Sequence, residues 1–81
     1  MKYEAIVRRI ITEQSNLTKA ADEISIDSSL QSIGMDSISF IKVVVEIENN
    51  FGIEFPEEKL IMSEVDTLAA FCEILEQIVK E

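Results

Sequence analysis

Two kinds of residue in this chain of 81 could do chemistry. One is a serine behind an acid, in Asp36-Ser37-Ile38; the other is paired acids, Glu46 with Glu48 and Glu57 with Glu58. The chain contains no histidine and a single cysteine, Cys72. Without histidine a self-contained Ser-His-Asp hydrolase is excluded. The usual zinc ligand sets cannot be assembled, and no disulfide can form within the chain. Nothing in the sequence gives the paired acids a pocket, so they read as solvated helix charge rather than an acid–base couple. Asp22 to Leu30 lacks the alternating ligands and central glycine of a calcium-binding loop. Judged on position alone, Ser37 is a polar residue in a first helical turn with no special reactivity.

The elements around Ser37 give it a setting. Gly34-Met35 reads as a turn and Asp36 as a helix N-cap, its carboxylate accepting backbone N–H groups. An apolar pattern then runs to Phe51, where Gly52 supplies a stop. At helical spacing Phe40, Val43, Val44, Ile47 and Phe51 share one side, which a core explains. Ile38, Ile41 and Val45 fall on the other side, with Lys42 and Asn49 among them. A surface helix has no need of apolar residues there, so that face predicts a partner.

Before this helix, Tyr3, Ile6, Val7, Ile10 and Ile11 mark an amphipathic helix ending near Gln14. A long connection follows to Met35, pinned to the core by Leu17, Ile24, Ile26, Leu30 and Ile33, with a local helical turn near Asp27-Ser28-Ser29. After Gly52, Ile53 to Pro56 reads as an extended bridge, and Pro56-Glu57-Glu58 as the start of a brief helix reaching about Met62. Asp66 or Thr67 caps a last helix whose stripe is Leu68, Phe71, Cys72, Leu75, Ile78 and Val79; there Cys72 is a small core residue. The expected fold is all-α: a small bundle of three main helices plus one short helix, with a long loop between helices one and two.

Composition narrows the partners. Sixteen acids against seven bases give a net charge of −9. From Ser37 onward there are ten acids to three bases. Such a surface argues against nucleic acid and anionic membranes and favours proteins with basic patches, approached by salt-sensitive steering. No stretch is long or apolar enough to cross a membrane, and the N-terminus lacks a signal-peptide pattern, so the cytoplasm is the expected location.

Gly34-Met35-Asp36-Ser37-Ile38, followed by a helix closing on Asn50-Phe51-Gly52-Ile53-Glu54-Phe55-Pro56, resembles an acyl carrier protein. The resemblance extends over nearly the whole chain and implies a single carrier domain over 1–81, standing alone and monomeric, with no catalytic residues and no metal. It implies a 4′-phosphopantetheine arm on Ser37, transferred from coenzyme A by a Mg²⁺-dependent phosphopantetheinyl transferase, whose thiol holds cargo as a thioester. Asp36 is implied as a recognition element for that transferase, and the motif frame assigns the arm to Ser37 rather than Ser39. Ile38, Ile41, Lys42 and Val45 are the expected partner face for the transferase and for loading and downstream enzymes with basic docking patches.

The Gly-Met-Asp-Ser-Ile form resembles acyl carriers more than the Gly-Gly-x-Ser form of peptidyl carriers. Fatty-acid carriers usually hold acids where this chain has Ser39 and Lys42. The expectation is therefore a dedicated pathway, such as polyketide, modified-peptide or cell-wall chemistry. An aminoacyl carrier is the alternative within the family. Outside it stands an acidic helical adaptor that binds through Ile38, Ile41 and Val45 without a cofactor.

Overall fold

The computed structural model describes residues 2–79. Among these residues three α-helices carry the fold: α1 Glu4–Gln14, α2 Ser37–Phe51 and α3 Leu68–Ile78. Each is amphipathic, and α1 packs against both of the others. The apolar spacing read from the sequence is the buried spacing: Val7, Ile10 and Ile11 on α1, Phe40, Val43, Val44 and Ile47 on α2, Leu68, Phe71, Cys72, Ile74 and Leu75 on α3. Phe71 joins the layers, its ring 5.9 Å from Phe40 and 6.4 Å from Phe55. Phe51 is half-buried and meets Tyr3 edge-on at 5.3 Å.

The helix ends follow local chemistry. Gly52 takes the left-handed conformation (φ 63°) that ends α2 and donates its N–H to the Glu48 carbonyl. Of the two residues offered as the cap of α3, Thr67 holds that place: its hydroxyl accepts the Ala70 N–H at 3.0 Å. Asp66 turns instead to the long connection. Its carboxylate accepts the Ser29 hydroxyl and, at 2.9 Å, the Gln31 N–H, while its carbonyl accepts the Leu30 N–H at 2.7 Å.

That connection is ordered by such bonds rather than by regular structure. Ile24, Leu30 and Ile33 are buried in the core, with Leu17 and Ile26 packed partly against it. Arg8 on α1 donates to the carbonyls of Ala21 and Ile24 and pairs with Glu4 at 2.7 Å, so one guanidinium fixes helix and loop together. Two single turns of 3₁₀ helix punctuate it, at Ala21–Glu23 and Gln31–Ile33. The segment expected to be helical near Asp27 is a plain turn closed by Ser28 N–H to the Ser25 carbonyl at 3.1 Å; the helical turn falls a few residues later.

The brief helix expected from Pro56 to about Met62 is shorter than the sequence predicts. It is one 3₁₀ turn, Glu57–Lys59. Leu60 leaves helical geometry (φ −88°, ψ 49°), and both Leu60 and Met62 pack on the core while Ile61 between them is exposed. Inward spacing of two cannot be met by a continuing helix, which would carry Met62 away from Leu60.

Candidate functional site

The site is assembled at the start of α2. Met35 (4% exposed) and Phe40 (2%) are both buried, one before the helix and one at the end of its first turn. Between these anchors the chain is held outward, and Asp36, Ser37 and Ile38 are exposed. Two bonds set the approach: the Gly34 N–H donates to the Gln31 carbonyl at 3.2 Å and the Met35 N–H to the Leu30 carbonyl at 2.9 Å. Gly34 has φ 122°, and a β-carbon there would stand 2.9 Å from the Asn16 carbonyl oxygen. Glycine is needed on both counts.

Asp36 is the N-cap of α2. Its Oδ1 accepts the Ser39 N–H at 2.8 Å, and its carbonyl accepts the Phe40 N–H at 2.9 Å. The Ser39 N–H first, then the Ser39 side chain, hold the Asp36 carboxyl below the usual aspartate range. The two neighbouring hydroxyls therefore differ. Ser39 is half-buried and its N–H is bound to Asp36, whereas Ser37 is exposed and its hydroxyl makes no hydrogen bond among the described residues.

Along α2 the outward stripe is Ile38, Ile41, Lys42, Val45 and Asn49, all exposed. Ile38 is 67% exposed, Ile41 51% and Val45 47%. The acids of the helix lie beside it and are tied back. Glu46 accepts the Asn50 side-chain amide at 2.8 Å, and Glu48 accepts the Phe55 N–H at 2.8 Å, which fixes the bridge after Gly52. Glu57 and Glu58 are exposed on the 3₁₀ turn. Cys72 is fully buried, and burial, its main cause, pushes the thiol pKa up, away from nucleophilic use.

The structure thus brings Asp36, Ser37, Ile38, Ile41, Lys42 and Val45 onto one continuous exposed surface. Residues that position this surface escape a reading of the sequence. Asp66 and Glu48 act through single bonds to backbone N–H groups, for which no spacing rule exists. Arg8 left one trace, its i,i+4 relation to Glu4. No helix among the described residues is long and apolar enough to cross a membrane.

Comparison with known proteins places the chain in a family. Residues 5–75 match the family described as phosphopantetheine attachment site. An acyl carrier protein of Rickettsia bellii is 40% identical over 60 residues, covering 72% of this chain and 70% of its own. One from Campylobacter hominis is 41% identical over 59 residues, covering 68% of this chain and 72% of its own. Among solved structures, the chain is similar to a carrier protein in the crystal structure of an engineered Bradyrhizobium japonicum glycine:[carrier protein] ligase complexed with a carrier protein from Agrobacterium tumefaciens and AMP. That match has a TM-score of 0.84 and 25% identity, and covers 90% of this chain and 97% of the other. The chain belongs to the acyl carrier protein family. It is a carrier rather than an enzyme, and its prosthetic group is covalently attached 4′-phosphopantetheine.

Proposed function

We propose that the arm is carried on Ser37 and that this chain acts as a single carrier domain for a dedicated biosynthetic pathway. The observation that carries this reading is the contrast between the two serines, Ser37 exposed between the anchors Met35 and Phe40, Ser39 half-buried further into the helix with its N–H bound to Asp36. In the transfer the Ser37 oxygen attacks the phosphorus of coenzyme A that bears the pantetheine. The phosphoanhydride bond breaks, adenosine 3′,5′-bisphosphate leaves, and the serine proton passes to the transferase. This chain has no histidine to take that proton, so its part is to present the oxygen.

The start of α2 fits a phosphodiester. The N–H groups of Ser37 and Ile38 lie in the first helical turn, where the helix dipole favours negative charge. Asp36 opposes it with a like charge and serves instead as the cap that holds the turn and as a recognition element for the transferase. When attached, the arm supplies a thiol that holds cargo as a thioester.

The test is intact-protein mass after incubation with a broad-specificity phosphopantetheinyl transferase, coenzyme A and Mg²⁺. Wild type and Ser39→Ala gain one arm and Ser37→Ala gains none. Modification of Ser37→Ala, or none of wild type, overturns the reading.

A dedicated pathway is supported by Ser39 and Lys42 standing where acids are usual in fatty-acid carriers. The aminoacyl alternative is favoured by one observation: the similar solved carrier is bound to a glycine ligase. Holo-protein given that ligase, glycine and ATP gains the mass of a glycyl group on this alternative, and stays unchanged if the chain is not an aminoacyl carrier for that ligase.

A further inference from the structure

The chain carries nine more negative than positive charges, yet the outward stripe of α2 beyond Ser37 (Ile38, Ile41, Lys42, Val45 and Asn49) holds no acid. Three carboxylates lie in this region, and each is engaged within the chain. Asp36 is held by the Ser39 N–H, Glu46 by the Asn50 amide and Glu48 by the Phe55 N–H, all at 2.8 Å. Lys42 is the opposite case. It is exposed, and it makes no ion pair among the described residues. Glu46, one turn on and the natural i,i+4 partner, has turned to Asn50 instead. The outward stripe is thus three large apolar side chains around one unpaired cation, with acids such as Glu54, Glu57, Glu58, Glu64, Glu73 and Glu76 exposed elsewhere.

Two consequences follow for anything seated on this stripe. Apolar contact with Ile38, Ile41 and Val45 removes water from around Lys42, so a cation brought opposite it meets repulsion that solvent no longer screens. A carboxylate brought there gains a charge-assisted hydrogen bond. Net charge still steers a basic partner from a distance, but the contact itself selects the other sign.

We propose that this stripe selects the loading enzyme by charge as well as apolar fit, accepting one with a carboxylate opposite Lys42 and rejecting one that is basic there. The proposal rests on Ser37 as the attachment point, since the stripe then adjoins the arm.

The experiment is a charge-swap cycle on holo-protein, with the arm on Ser37 verified by mass beforehand. The probe is an acyltransferase of known structure with a single arginine at the centre of its carrier-docking surface, used as it stands and with that Arg→Glu. Transfer kcat/KM is measured for wild type, Lys42→Glu and Lys42→Met, and melting curves establish that each is folded. The basic enzyme gains about threefold on Lys42→Glu and less on Lys42→Met, the scale of one ion-pair contact. The Arg→Glu enzyme reverses the order and prefers wild type. Rates that ignore the sign at position 42, or the same order with both enzymes, overturn the proposal. Failure of wild type to take up the arm overturns the assignment of Ser37 instead, and is seen before any transfer is measured.

Discussion

The Asn16 carbonyl oxygen lies so close over Gly34 that a β-carbon there would stand only 2.9 Å from it, and 3.4 Å from Leu17 Cα. The start of the long connection therefore crosses its end just before the cap of α2. This crossing, with the Thr18 N–H donating to the Ile33 carbonyl at 2.8 Å, fixes where Asp36 and Ser37 emerge.

Gly34→Ala is expected to cost more than Gly52→Ala. At Gly52 a β-carbon meets nothing within 4 Å and only the left-handed backbone (φ 63°) opposes it, about 1–2 kcal/mol. At Gly34 an unfavourable φ of 122° adds to a backbone clash, for a total of about 2–4 kcal/mol. Denaturant unfolding of the two variants decides the point. Equal losses would mean that the crossing relaxes freely.

The cap of α2 has a pH signature. Hydrogen bonds from Ser39 hold the folded Asp36 pKa below its ordinary value near 3.8. A carboxylate with a depressed folded pKa adds stability above its unfolded pKa, and that stability is lost as pH falls through the folded value. Asparagine caps a helix about as well and does not titrate. Asp36→Asn should therefore match wild type near neutral pH and lose less melting temperature between roughly pH 5 and pH 3. Glu4, lowered chiefly by its hydrogen bond from Arg8, titrates in both proteins and cancels in the difference.

The three helices were legible because each repeats an apolar pattern over several turns, and burial follows that pattern at Val7, Val43 and Leu75 alike. Ser37 stood out through its frame of turn, cap and glycine stop, each a local backbone requirement. The path of the connection was not legible. It hangs on Arg8 reaching two carbonyls and Asp66 reaching Ser29 and Gln31, contacts between residues far apart in sequence. Pro56-Glu57-Glu58 misled for a related reason. It is a sound helix start, but the core takes Leu60 and Met62 two residues apart and ends the helix after one turn.

The Asp66 contact can be isolated. Asp66→Ala removes an acceptor from Ser29 and Gln31 while Thr67 still caps α3. A loss of about 1–3 kcal/mol is expected, the range for hydrogen bonds to a charged group. Amide hydrogen exchange should show the Gln31 N–H losing protection and the Ala70 N–H retaining it. Loss at both positions would make Asp66 part of the α3 cap after all.

The two faces of α2 answer to different measurements. Val43 and Ile47 are fully buried against α1 and the core, so truncating either to alanine removes apolar contact and leaves a cavity. The expected cost is about 1–4 kcal/mol, smaller for Val43, and for a domain of this size that is a large share of its stability. Ile41 and Val45 are about half exposed on the outward stripe, and a serine there meets water. Ile41→Ser and Val45→Ser should stay within about 0.5 kcal/mol of wild type, since neither opens a cavity nor strands a polar group. What they should lose is docking, read as a lower rate of arm addition by the transferase or of subsequent loading. Unfolding curves and modification rates for all four variants form the test. If Ile41→Ser unfolds as readily as Ile47→Ala, or is modified and loaded at the wild-type rate, the outward stripe has no role in docking.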